Sequence, residues 1–94
     1  MDYVYVVKQE WYYYGDYDHD YNTTVCASKE TAMRIFDKKK LDSIKNFKAE
    51  IEPGEVEDEF EELSDDKWYY RIYKGDDYYE CYEEVSVEKK EVIK

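Results

Sequence analysis

Residues 2–14 read DYVYVVKQEWYYY, a run dominated by β-branched and aromatic side chains. Such residues are enriched in β-strands, so the run predicts a strand. Side chains alternate along a strand, which would put Tyr3, Tyr5 and Val7 on one face and two further valines on the other. Because both faces carry apolar residues, we expect both faces of this strand to be partly covered.

The sequence predicts two β-hairpins, one of which contains this strand. GDYDHD (15–20) is typical of a turn, and YNTTVCA (21–27) predicts a returning strand. Near the other end of the chain, KWYYRIYK (67–74) and YYECYEEVSVE (78–88) predict two more strands around the turn GDD (75–77).

A helix is predicted between the hairpins. Ser28 is a favourable N-cap, and apolar residues recur at helical spacing over residues 29–40. Residues 41–52 fit both a helical period and a strand alternation, and we favour a helix. After the break at Pro53-Gly54, the spacing of Val56, Phe60 and Leu63 predicts a further short acidic helix.

The order of these segments predicts one α+β domain over residues 1–94. Its small antiparallel sheet would consist of two hairpins, with one to three helices inserted between them in the order ββα(α)(α)ββ. No internal repeat at a solenoid period interrupts this pattern.

The composition narrows the class of partner. The net charge is −11, and no dominant basic face is evident, so we expect neither direct nucleic-acid binding nor attachment to an anionic membrane. Cys26 and Cys81 lack metal or redox spacing, and the opening Met1-Asp2 leads directly into a strand pattern rather than a signal peptide. These features predict a cytoplasmic protein with reduced thiols.

The sequence offers no catalytic or metal-binding constellation. Asp16, Asp18, Asp20 and Asn22 stand at every second position and resemble a calcium loop, but Tyr21 replaces its glycine and Ala27 its bidentate glutamate. His19 lies in the same acidic turn without an identifiable nucleophile. We therefore expect a protein that is not an enzyme and that uses no cofactor or metal.

Residues 50–66 (EIEPGEVEDEFEELSDD) hold ten acidic residues in seventeen and no basic one. As a continuous helix the segment would span roughly 25 Å, with about one charge per 2.5 Å, against about one per 1.7 Å of duplex DNA axis. It could thus imitate a nucleic-acid backbone. Alternatively it is disordered, or it is neutralised by the lysines of residues 38–48, namely Lys38, Lys39, Lys40, Lys45 and Lys48. The apolar stripe argues against disorder.

Two resemblances bear on function. YVYVVKQEWYYYGDYDHD, followed by a strand and SKETAMRIF, resembles a group of small phage and bacterial proteins over about the first forty residues, without an activity to transfer. The small size, the tyrosine content and the acidic charge resemble anti-CRISPR proteins and other phage-encoded inhibitors of host defence. That resemblance implies occupation of a basic cleft by nucleic-acid mimicry. The basic patch 38–48 departs from a uniformly acidic mimic.

These observations predict a phage or mobile-element inhibitor in the cytoplasm of an infected bacterial host, acting as a monomer or homodimer. Its partner would be a basic nucleic-acid-binding protein, in the most specific form a CRISPR effector. The alternative is a structural or adaptor protein that associates through its tyrosine-rich sheet. The predicted contact residues are Glu55, Glu57, Asp58, Glu59, Glu61, Glu62, Asp65, Asp66, Trp68, Tyr70, Asp76 and Asp77.

Overall fold

The structure is a computed structural model that describes residues 2–13, 18–51, 54, 56–63, 67–74 and 81–92. These residues form five strands and one helix. In chain order the elements are β1 (Tyr3–Tyr13), β2 (Asp18–Cys26), α1 (Lys29–Glu50), β3 (Val56–Leu63), β4 (Lys67–Lys74) and β5 (Cys81–Glu91).

The five strands form one antiparallel sheet in the order β2-β1-β5-β4-β3. The last strand, β5, inserts between β1 and β4, so that Val87 is directly opposite both Val7 and Trp68. Strands β1, β5 and β4 are therefore the interior strands of the sheet, and β2 and β3 are its edge strands. The predicted α+β class with an antiparallel sheet is confirmed.

The helix begins where the sequence predicts. The side chain of Ser28 accepts a hydrogen bond from the backbone N–H of Thr31 at 3.2 Å, and Glu30 lies in the first turn, where the helix dipole favours negative charge. The favoured helical interpretation of residues 41–50 is confirmed, and Ile51 ends the helix by donating its N–H to the carbonyl of Phe47 at 2.9 Å. Among the described residues, no helix is sufficiently long and apolar to cross a membrane.

The core lies between α1 and one face of the sheet. Phe36 and Phe47 are three helical turns apart, so both point to the same side. They are 1% and 0% exposed, and the sheet residues that share the core with them are Val7, Trp68, Tyr70, Ile72, Val85 and Val87. Helix α1 packs mainly over β5 and β1.

The predicted acidic helix around Val56, Phe60 and Leu63 is wrong, because residues 56–63 form β3 and pair with β4. Residues four apart share a face of a strand as well as a helix, so the pair of Val56 and Phe60 fits either structure. Phe60 makes an edge contact with Phe36, with ring centroids 6.3 Å apart. The described part of the chain thus has one helix between β2 and β3, and β3 is a fifth strand that the two predicted hairpins omit.

The predicted turn 15–20 needs a smaller correction. Asp18 to Asp20, assigned to the turn 15–20, begin β2, opposite Tyr13 to Trp11 of β1. Residues 14–17 and the predicted turn 75–77 lie outside the described residues.

The packing predicts that two substitutions on α1 differ strongly in their effect on the free energy of unfolding. Phe36→Ala removes a buried ring and should lower the free energy of unfolding by about 3–5 kcal/mol. Leu41→Ala removes a side chain that is 65% exposed and should change it by less than about 0.5 kcal/mol. Urea unfolding of both variants measures these changes, and equal destabilisation would contradict the packing of α1.

Candidate protein-binding surface

The helix covers one face of the sheet and leaves the other face without a covering element among the described residues. We call this second face the open face. The strand register and the alternation of side chains assign to it Lys8, Glu10 and Tyr12 of β1, Tyr82, Glu84 and Ser86 of β5, Lys67, Tyr69, Arg71 and Tyr73 of β4, and Glu57, Glu59 and Glu61 of β3.

The acidic residues of β3 lie at the edge of this sheet. We call them the acidic edge; they are all exposed, and they are Glu57, Asp58, Glu59, Glu61 and Glu62. The alternation of side chains puts three of them on the open face. Asp58 and Glu62 lie on the helix side, together with Phe60, which is 51% exposed. An approaching partner can therefore reach carboxylates on both sides of the strand.

Contacts with β4 hold part of the acidic edge in place. The hydroxyl of Tyr70 donates a hydrogen bond to Asp58 at 3.0 Å, and burial together with this bond raises the pKa of Tyr70. Arg71 lies 3.5 Å from Glu59 and 2.8 Å from Glu84 of β5. Among the described residues, no side-chain hydrogen bond or ion pair involves the carboxylates of Glu61 and Glu62, so the C-terminal end of β3 keeps its charge uncompensated.

The helix lysines do not neutralise the acidic edge. The ammonium group of Lys40 lies 5.6 Å from the ring centre of Phe60 and 5.3 Å from that of Tyr70. Lys39 donates a hydrogen bond to Asn22, and burial lowers its pKa. In the described part of the chain, neither these two lysines nor Lys38, Lys45 and Lys48 form an ion pair with β3. Self-neutralisation by this patch is therefore not what the structure shows.

The charge density along β3 is lower than it would be if this segment were a helix, because a strand is more extended. Eight residues of β3 extend about 26 Å at roughly 3.3 Å per residue. Their five carboxylates give about one charge per 5 Å, compared with about 3.4 Å per phosphate along one DNA strand. The acidic edge is thus closer in spacing to one nucleic-acid strand than to a duplex.

The other predicted contact residues divide into two groups. Trp68 and Tyr70 are 6% and 2% exposed and belong to the core, so they cannot act as surface anchors in this structure. Glu55, Asp65, Asp66, Asp76 and Asp77 lie outside the described residues.

The sequence predicted a tyrosine-rich sheet surface, but the predicted contact residues did not include the tyrosines of the open face. Tyr12 and Tyr82 stack with ring centroids 5.9 Å apart, and Arg71 lies 4.9 Å from the ring centre of Tyr69. The signal was present in KWYYRIYK (67–74), where Lys67 and Arg71 mark the alternate positions that face solvent. Tyr69 and Tyr73 share those positions.

A second feature is a cleft of about 300 Å³ beneath the C-terminal turns of α1. The described residues that line it are Gln9, Trp11, Tyr13, Asn46, Ala49, Glu50 and Glu83. Glu83 is only 2% exposed, and the hydroxyl of Tyr13 donates a hydrogen bond to its carboxylate. Burial, followed by the contact with Glu83, raises the pKa of Tyr13.

The cleft has a fixed polar end at Gln9. The amide nitrogen of Gln9 donates to the hydroxyl of Ser43 at 2.8 Å, and its oxygen accepts from Asn22 at 3.1 Å. These bonds tie β1 to both α1 and β2. Among the described residues, no group of three or more His, Cys, Asp or Glu side chains is arranged to hold a metal ion.

Comparison with protein-family models, with curated proteins and with solved structures finds no match to this chain.

The Tyr13–Glu83 contact predicts a loss of stability in alkali. The pKa of Tyr13 is higher in the folded state than in the unfolded state, where tyrosines have a pKa of about 10. The stabilisation is therefore complete below that value and falls as the pH rises above it. Tyr13→Phe should cost about 1–3 kcal/mol at pH 7, because it removes the donor to a buried carboxylate.

Urea unfolding of the wild type and of Tyr13→Phe across pH 7 to 11 measures this difference. Tyr12→Phe on the open face serves as the control. The difference between wild type and Tyr13→Phe should shrink above about pH 10. A constant difference over the whole range would contradict the proposed contact.

Proposed function

We propose that this protein binds a basic surface of a partner protein through the acidic edge. The observation that carries the proposal is the accessibility of five carboxylates on an edge strand, with Glu61 and Glu62 uncompensated among the described residues. Opposite charges at an interface raise the rate of association and select against wrong partners. The arginine-bearing open face next to β3 would extend the contact with tyrosine rings, which are favourable interface residues.

A simpler role for charge on an edge strand is protection against aggregation, since charged side chains discourage pairing with another strand. That role needs few charges. On β3 they occupy five of eight positions on both sides of the strand, in a chain whose net charge is already −11. Further like charge opposes compactness, so the concentration on one strand favours a binding role in addition to protection.

In its most specific form, the proposal is an inhibitor encoded by a phage or mobile element. It would occupy the nucleic-acid-binding cleft of a bacterial defence complex, most specifically a CRISPR effector, without itself catalysing a reaction. The support is the spacing of the carboxylates along β3, together with the small acidic, tyrosine-rich composition that resembles such inhibitors. Lysine and arginine residues that normally hold phosphates would then pair with the acidic edge.

A neutralising exchange tests this proposal. Glu61→Gln with Glu62→Gln removes two exposed charges that have no partner in the described residues, so the fold should be kept. Capture of a basic nucleic-acid-binding complex from bacterial lysate at low salt should fall by about tenfold or more, as expected for two lost charge-assisted contacts. The bound proteins are identified and quantified by mass spectrometry.

The matched control is Asp37→Asn with Asp42→Asn, which removes the same charge from two exposed positions of α1. This control should retain capture, and both high salt and added DNA or RNA should release the wild-type complex. Equal capture by both double variants, or binding that persists at high salt, would overturn the acidic-edge proposal.

A second candidate function is an adaptor that associates with a second copy of itself, and β2 favours it. Residues 21–26 of this opposite edge carry no charged side chain, while Tyr21 and Val25 are 59% and 65% exposed. Asp20 accepts a hydrogen bond from the N–H of Tyr21 at 2.8 Å, which shows that this N–H points away from β1. Thr23 and Val25 share that direction, since backbone groups alternate along a strand. Two copies of β2 could pair antiparallel about Thr23 without opposing like charges.

Val25→Lys tests the second candidate, because a lysine on an edge strand discourages pairing. Light scattering after size exclusion should show a dimer for the wild type and a monomer for this variant. Leu41→Lys is the matched control, since Leu41 is also 65% exposed but lies on α1. A wild-type monomer at high concentration, or equal dimerisation of both variants, would exclude pairing through β2.

A further inference from the structure

We propose that the cleft beneath the C-terminal turns of α1 binds an organic cation, namely a protonated amine or guanidinium group carried on an aliphatic chain. The acidic edge has no part in this site, so the inference stands independently of the proposed function. It rests on the charge, the aromatic walls and the shape of the cleft.

The cleft carries negative charge from three sources. Glu83 lies on β5, Glu50 on the last turn of α1, and the C-terminal carbonyls of that helix add the negative end of its dipole. None of the described residues that line the cleft is basic. A ligand that enters this cleft therefore experiences a potential that favours cations and disfavours anions.

Two aromatic residues, Trp11 and Tyr13, form the β1 side of the cleft. They are on the same face of the strand, two residues apart, and Tyr13 packs against Phe47 with ring centroids 5.9 Å apart. Aromatic faces attract cations and also accept aliphatic groups, and tryptophan is the most favourable ring for this. This combination suits an alkylammonium or alkylguanidinium group better than a hydrated metal ion.

The arrangement is preorganised. Tyr13 is fixed by its hydrogen bond to Glu83, and Gln9 is fixed by its bonds to Ser43 and Asn22. Side chains held in this way lose little freedom when a ligand binds. The volume of about 300 Å³ is at the small end of ligand pockets, which fits one side chain or a short amine rather than a nucleotide.

The cation could belong to an arginine side chain of a partner protein or to a free metabolite. Two probes separate these sources: N-acetyl-arginine methylamide, which presents the side chain on a peptide backbone, and agmatine, which presents the guanidinium on a free amine chain. N-acetyl-citrulline methylamide has nearly the shape of the first probe but no charge. Titrations are followed by the amide and indole N–H signals of the labelled protein.

We expect both cationic probes to shift signals of residues 9–13 and 46–50 in a saturable manner, with the citrulline compound at least about tenfold weaker. Tighter binding of the arginine probe would indicate a protein side chain as the source, and tighter binding of agmatine a free amine. Equal binding of the citrulline compound, or the absence of saturable shifts at these residues, would overturn the inference.

Two variants test whether the cationic probes bind in the cleft. Glu50→Gln changes an exposed side chain and should weaken binding of the cationic probes several-fold without unfolding the protein; Glu83→Gln keeps the shape of a buried residue and should weaken it further. Glu61→Gln on the acidic edge should leave it unchanged. Unchanged binding in Glu50→Gln would contradict the site, even if Glu83→Gln failed to fold.

Discussion

The packing of a single helix against one face of a five-stranded sheet determines what the rest of this protein can do. Helix α1 extends about 33 Å, and five strands span roughly 24 Å from edge to edge. Phe36 and Phe47 bring the helix over β5 and β1, where the core forms. One helix cannot also cover the edges or the second face. In the described part of the chain these surfaces stay uncovered, and they are therefore accessible to a protein partner.

The distribution of charge follows from this arrangement. Carboxylates on β3 remain in water, so the fold tolerates them without a large desolvation cost. Lys40 of α1 contacts the rings of Phe60 and Tyr70 instead of the carboxylates of β3, and Lys39 contacts the amide of Asn22. The protein thus keeps an acidic edge on one side of its sheet and an uncharged stretch, residues 21–26, on the other. This asymmetry separates the two candidate functions physically, because they use opposite edges.

The local sequence correctly predicted those elements whose apolar residues fit only one period, that of a strand or that of a helix. The apolar run of β1 and the Ser28 cap with the helical spacing of residues 29–40 were sufficient. The local sequence of residues 56–63 was not sufficient. Val56 and Phe60 fit both the strand period and the helical period, and the position of Leu63 suggested a helix. The insertion of β5 beside β1 joins residues about 80 positions apart, and no local pattern encodes it. The cleft was missed for the same reason, since β1, β5 and α1 form it together.

The acidic edge is an accessible surface on which Glu61 and Glu62 form no ion pair among the described residues, and it is not simply part of a uniformly negative protein. This difference is tested most directly by titrating the isotope-labelled protein with a short lysine peptide, followed residue by residue by NMR at low and high salt. We expect the largest shifts on Glu57 to Glu62, with smaller shifts at Asp37 and Asp42 of α1, and no shifts at high salt. Shifts of equal size at all exposed carboxylates would contradict it.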